Sequence, residues 1–153
     1  MKKIFIAILG LFAFSKVQSQ IVISGYHANP SGVDGNYEYV QLVATQNINF
    51  ANTPYTLIVN NNGTAGANGW AQGGATTYAI EINTGTVSTG DVFYVGGLFK
   101  LLNGAATLDI SGLTWIANKD FTQAGDGGIG QANGSLGNGG TSADGIGIFF
   151  GAA

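Results

Sequence analysis

From residue 21 onward, apolar and polar positions alternate in short runs separated by turn-forming pairs. Val40 and Leu42 share one side of such a run, Tyr55, Leu57 and Val59 one side of a second, and Ile80 and Ile82 one side of a third. A two-residue period sends successive side chains to opposite faces of a strand, so this pattern predicts sheets with one buried face. The expected strands are Ile21–Gly25, Tyr37–Val43, Tyr55–Asn60, Thr77–Ile82, Val92–Val95, Leu113–Ile116 and Ile146–Phe150, all rich in β-branched and aromatic residues. Between the runs stand Asp34-Gly35, Asn62-Gly63, Asn68-Gly69, Asn103-Gly104, Asp126-Gly127, Asn133-Gly134, Asn138-Gly139 and Asp144-Gly145. Asn and Asp tolerate a left-handed backbone and Gly prefers it, so these pairs suit tight reversals. The one helical candidate is a turn or two around Leu98–Leu102. The reading is all-β, as a sandwich or a barrel.

The N-terminus follows a different rule. Lys2 and Lys3 precede Ile4–Phe14, which carries no polar side chain. That run is too short for a transmembrane helix, which needs about 20 apolar residues, and suits the apolar region of a secretory signal. Val17 and Ser19 stand at −3 and −1 of a cut before Gln20. The expectation is a signal peptide over residues 1–19 and one β-domain over residues 20–153, with a Gly-rich loop at 122–145. The mature protein is then secreted or held at the cell surface, with no membrane insertion after cleavage.

Charge narrows the partners. Of five lysines only Lys100 and Lys119 follow the cut, against eight acids and no arginine, leaving a net charge of −6. Nucleic acids require a basic footprint, and anionic membranes attract one, so both are set aside. The chain has no cysteine, so neither disulfides nor thiolate metal sites are available to it. Its stability must come from burial, with a hard cation as the one candidate supplement.

Three blocks in order resemble a known family. Ile21-Val-Ile-Ser24-Gly-Tyr-His-Ala-Asn29-Pro30 leads through Asp34-Gly-Asn-Tyr to Glu38-Tyr39-Val40-Gln-Leu42. Ile48-Asn-Phe50 and Thr53-Pro-Tyr55-Thr-Leu57 follow. Then come Tyr78-Ala-Ile-Glu-Ile, Gly85-Thr-Val87 and Gly90-Asp-Val-Phe-Tyr-Val95. Over residues 21–97 the chain resembles the bacterial lamin-tail domain, with Gly25 and Gln41 where that family usually has acids and Tyr55 where it has Trp. The resemblance implies an immunoglobulin-like antiparallel β-sandwich in an exported protein. It also implies an accessory or adhesion-type module without catalytic residues, such as the N-terminal domain of a longer surface protein. The partner would be an extracellular protein or a polysaccharide.

The residues themselves leave several chemistries to weigh. His27, the one histidine, would have to serve any Ser-His-Asp arrangement, but no nucleophile elbow accompanies it, and a surface turn position explains it as well. A glycosidase needs paired carboxyls, for which Asp34 with Glu38, or Asp126 with Asp144, are the available sets. Neither pairing has its separation set by the sequence, so a non-catalytic protein is expected. Asp34, Asn36 and Glu38 offer oxygen ligands at alternate positions, and Asp144 follows a second glycine loop. Hard cations take such ligands, which makes these four a candidate structural Ca²⁺ site; Asx-turns that satisfy their own backbone are the competing explanation. No other cofactor is expected. Trp70, between two glycine turns, could stack on a sugar with Gln72 and Tyr78 beside it, which is the carbohydrate-binding alternative. A loop aromatic folded over the end of the sandwich is the competing explanation for Trp70. Trp115, inside an apolar strand run, reads as core.

Overall fold

The computed structural model describes residues 19–28, 30, 35–60, 77–102, 108–134, 136–137 and 144–153. Of the expected signal peptide only Ser19 lies among them. The strands are β1 (Ile21–His27), β2 (Tyr39–Ala44), β3 (Ile48–Asn49), β4 (Tyr55–Asn60), β5 (Thr77–Ile82) and β6 (Thr86–Val87), followed by β7 (Val92–Gly97), β8 (Leu101–Leu102), β9 (Leu108–Asp109), β10 (Trp115–Lys119) and β11 (Gly145–Phe150). The only helical pieces described are 3-10 turns at Gly35–Tyr37 and Asp126–Gly128. The protein is all-β, and none of its described helices is long and apolar enough to cross a membrane.

Four strands form one sheet in the order β1-β2-β7-β10, and three form another in the order β11-β4-β5. Two short ladders, β3-β6 and β8-β9, are also present among the described residues. All neighbours are antiparallel except β10, which runs parallel to β7. A parallel pair needs a crossover of about a dozen residues or more, and residues 98–114 supply it. This segment also corrects the expectation of a helical turn at Leu98–Leu102. Leu101 and Leu102 are strand, paired with Asp109 and Leu108. Cross-strand pairing overrides their helix propensity.

One core joins the two sheets. Val40 and Leu42 of β2 and Phe93 and Val95 of β7 pack with Tyr55, Leu57 and Val59 of β4 and with Tyr78, Ile80 and Ile82 of β5. The two-residue period of the sequence picks out the side chains that meet in this core, although β4, β5 and β7 are largely buried on their other sides as well. Phe50 closes one end, its ring centroid 5.7 Å from Phe93 and 6.1 Å from Tyr55, with Ile48 and Val87 beside it. Each such fully buried side chain contributes about 1.5–3 kcal/mol relative to exposure.

The Gly-rich stretch has a structural task in its described part. Among the described residues β5 is the last strand of its sheet, and its outward amides would otherwise be open to pairing with another chain. Ala79 N–H donates to Ile129 O at 3.1 Å and Glu81 N–H to Asp126 Oδ2 at 2.8 Å. Lys119 Nζ of β10 holds the other oxygen of Asp126 at 2.5 Å, tying this cap to the opposite sheet. Glycine is needed because the cap lies flat on Tyr78: a Cβ at Gly134 would stand 2.2 Å from Tyr78 Cδ2, and one at Gly130 2.6 Å from it.

Candidate functional site

The four-stranded sheet has a second face, built by the residues that alternate with the core. On β2, Tyr39 and Gln41 flank Val40; on β7, Tyr94 lies between Phe93 and Val95. Cross-strand pairing sets Gln41 opposite Tyr94 and Trp115 opposite Tyr94 on the far side. β1 contributes through an irregularity. Ile21 and Ile23 belong with the core, so strict alternation would send His27 inward too. The register shifts between Ile23 and Gly25, leaving Ser24 as the extra residue. One inserted residue reverses every side chain after it. Tyr26 therefore pairs with inward Val40, and His27 pairs with outward Tyr39.

The result is a row of rings, one from each strand. His27 and Tyr39 have centroids 5.2 Å apart, Tyr39 and Trp115 5.6 Å, Tyr39 and Tyr94 5.7 Å, and Tyr94 and Trp115 5.4 Å. Tyr39 meets Tyr94 and Trp115 edge-on, at 71° and 78°, the arrangement that ring quadrupoles favour. Lys100 Nζ sits 5.3 Å from the Trp115 ring centroid, within cation–π range. Trp115 Nε1 donates to Ile110 O at 3.0 Å, which fixes the orientation of the indole. Trp115 is thus a half-buried residue of the outer face and not the core residue its apolar run suggests. Its own strand begins at Trp115, so Leu113 and Thr114 do not set its facing.

Polar groups are fixed among the rings. Gln41 Nε2 donates to the Tyr94 hydroxyl at 2.7 Å, and Ser24 Oγ donates to Gln41 Oε1 at 3.0 Å. Tyr39 and Tyr94 are each only 9% exposed. Burial, reinforced by Tyr94, raises the Tyr39 phenol above its ordinary value, so it stays protonated at neutral pH. Burial lowers His27 below its ordinary 6.5, so its ring is neutral at pH 7. The face is lined by rings, neutral hydrogen-bonding groups and one ammonium, with Tyr39 and Tyr94 largely covered and His27 and Trp115 half-buried.

The residues singled out from sequence are dispersed. Asp34, Trp70 and Gln72 lie outside the described residues. Tyr78 belongs to the core at 3% exposure, its hydroxyl donating to Gln123 O at 2.8 Å and its ring packed on Phe121. Burial, with the charges of Asp126 and Asp120, pushes its phenol up to about 12. Its ring is occupied by packing and offers no face to a sugar. Asn36 spans two partners, donating to Asp120 Oδ1 at 3.1 Å and accepting from Phe121 N–H at 2.7 Å. That bond, with two from Thr122, holds the Asp120 carboxyl below its ordinary value. Glu38 is wholly buried and accepts from Leu136 N–H at 2.6 Å. Asp144 lines a cleft of about 430 Å³ between β1 and β11, with Ile23, Tyr26, Ala28, Leu136 and Ile146. Among the described residues no three His, Cys, Asp or Glu side chains gather as a metal site. Asn36 and Glu38 instead anchor the backbone at Phe121 and Leu136, where the Gly-rich segment leaves and rejoins the core.

No family model, curated protein or solved structure matches the chain. The aromatic face was open to discovery from sequence in one respect. Once Val40 and Leu42 are assigned inward, Tyr39 and Gln41 must be outward, and a Tyr opposite the core is a signal. His27 gave no such signal, because the bulge that turns it outward has no sequence mark beyond Ser24-Gly25.

Proposed function

We propose that the protein is an exported, non-catalytic interaction module whose contact surface is the outer face of the four-stranded sheet. The observation that carries this reading is the ring row His27–Tyr39–Tyr94–Trp115, gathered from four adjacent strands with polar groups fixed among them. Aromatic residues that combine an apolar body with a polar tip are favoured in recognition surfaces. The finer fold is an immunoglobulin-like β-sandwich of lamin-tail type, supported by seven longer strands divided four and three around one core. Location at the cell surface or in the medium is supported by the signal-like N-terminus. A structural Ca²⁺ on Asp34, Asn36, Glu38 and Asp144 remains part of this proposal only if melting responds to calcium and chelator.

The test is retention. The protein purified after export is added to washed cells and to the extracellular matrix fraction of the producing culture, and the share that pellets is measured. The proposal expects Trp115→Ala to lower retention while leaving a cooperative melt. Equal retention of the variant would remove the sheet face as the contact surface.

A further inference from the structure

Among the described residues each of the two larger sheets ends in two strands, β1 and β10 in one, β11 and β5 in the other. An open strand side attracts other strands, and proteins blunt it with bulges, charges or a covering segment. The ladder of β1 shifts register between Ile23 and Gly25, and that of β10 between Trp115 and Ala117, with Lys119 closing the strand. The outward amides of β5 are taken by Ile129 and Asp126. β11 has none of these devices. Gly145-Ile-Gly-Ile-Phe-Phe150 carries neither charge nor proline and runs against β4 in unbroken register. Its open side can be read from the ladder. Gly151 N–H donates to Pro54 O at 2.8 Å, one step beyond the pair Phe150–Tyr55. Backbone groups of an antiparallel strand alternate in direction. Gly145, Gly147 and Phe149 therefore turn theirs to β4, and Ile146, Ile148 and Phe150 turn theirs away. No hydrogen bond from another described segment reaches the backbone of those three. Solvent does reach the strand: Phe149 is 47% and Phe150 74% exposed, whereas the capped β5 has no exposed residue.

The strand is its own complement. A two-fold axis at Ile148 sets Ile146 opposite Phe150 of the second copy, and Ile148 opposite its own equivalent, each pair exchanging both backbone bonds. These side chains lie on the core side, where Ile146 and Ile148 already pack. On the other side the same register places Phe149 over Gly147 of the second copy, a ring covering a position that has no side chain of its own. Asp144, the acid nearest the strand, falls at opposite ends of the ladder in the two copies. The two carboxylates are then about 20 Å or more apart, beyond the screening length of about 8 Å at physiological salt. We propose that two copies of this chain join through antiparallel β11 strands, merging two three-stranded sheets into one. The contact is isologous, and the cap on β5 keeps the merged sheet from growing, so association stops at a dimer. This goes beyond the outer face of the four-stranded sheet and does not depend on it.

Sedimentation velocity of the protein purified after export tests it, over about 1 μM to 1 mM because a single strand pair is a small interface. The expected result is a rise with concentration to twice the monomer mass and no further. Phe150→Lys places a charge within the ladder at a side chain that is already 74% exposed. It should raise the dimer dissociation constant by roughly tenfold or more. Amide exchange of the unaltered protein keeps the test valid if that variant fails to fold. The amides of Ile146, Ile148 and Phe150 should exchange roughly tenfold or more slowly at the top of the concentration range than at the bottom, with Ala79 unchanged. Monomer mass throughout would overturn the proposal, as would growth beyond the dimer. A dimer whose Ile146, Ile148 and Phe150 amides exchange alike at both concentrations would overturn it too. So would a dimer that Trp115→Ala dissociates and Phe150→Lys does not.

Discussion

The two faces of the four-stranded sheet are made by the same strands and differ by one residue in register, yet they are built for different purposes. Phe93 and Val95 point inward with Val40 and Leu42, and all four are excluded from solvent. Tyr94, between the first two, points outward to Gln41, Trp115 and Tyr39. The inner face consists of hydrocarbon filling a fixed volume. The outer face consists of rings with polar handles, of which Tyr39 and Tyr94 are each 9% exposed and Trp115 is half-buried. The contrast teaches that exclusion from solvent alone does not identify core: Tyr39 is nearly as buried as the inner residues, but its chemistry belongs with the surface.

Substitution on either side of one strand should separate the two roles. Phe93→Ala opens a cavity beside Phe50 and should cost about 3–5 kcal/mol, read as a large fall in the urea midpoint or loss of a cooperative transition. A loss below about 1 kcal/mol would mean that the inner face is not the close-packed core described. Gly134→Ala forces a Cβ into the Tyr78 ring and should cost about 1–3 kcal/mol through overpacking. Because the same segment caps β5, faster hydrogen exchange at Ala79 and Glu81 should accompany that loss. Unchanged exchange there would show that the cap does not depend on the glycine contact.

The outer face should respond more weakly. Trp115→Ala gives up packing that is only half buried, and about 1–2 kcal/mol is expected in denaturant melts, with the larger consequence in binding. Tyr39→Phe keeps the ring and removes a single hydroxyl, so it should change stability by less than about 1 kcal/mol. A marked destabilisation would mean that its hydroxyl has a structural partner, and would weaken the contrast between the faces. The smallest effect is the pH dependence of His27. Its folded pKa is lowered by burial, so the unfolded state takes the proton first. Stability is intact above 6.5, falls as pH drops below that value, and levels off below the folded pKa. His27→Gln should flatten this slope in melts between pH 7.5 and 5; an unchanged slope would assign it to another group.

Much of the architecture could be read from alternation. Tyr55–Asn60 and Thr77–Ile82 begin and end where the pattern places them, and Tyr39–Ala44 and Val92–Gly97 are displaced by two residues or fewer at either end. These are strands with a buried side, and burial imposes the period. The ladders β3-β6 and β8-β9 were not legible, because two residues cannot display a period. Leu98–Leu102 misled because leucine favours helices, and only its cross-strand partner decides otherwise. The candidate site was legible in part. Tyr39, Gln41 and Tyr94 follow from their inward neighbours. Trp115 does not, because its facing depends on a parallel pairing across a long connection.

By itself the sequence determined that this chain makes strands, which sides of β2, β4 and β5 face the core, and that residues 20–153 carry a net charge of −6. Those properties are local or additive: a two-residue period, turn chemistry and a sum of charges. The tertiary structure decided which strands are neighbours, that an extra residue at Ser24 turns His27 outward, and that four rings separated along the chain meet within 6 Å. It also decided that the glycines near Tyr78 serve close approach to a ring and to a strand edge. Such features arise from pairing between distant segments, where one residue of register changes every contact, and no local pattern records that choice.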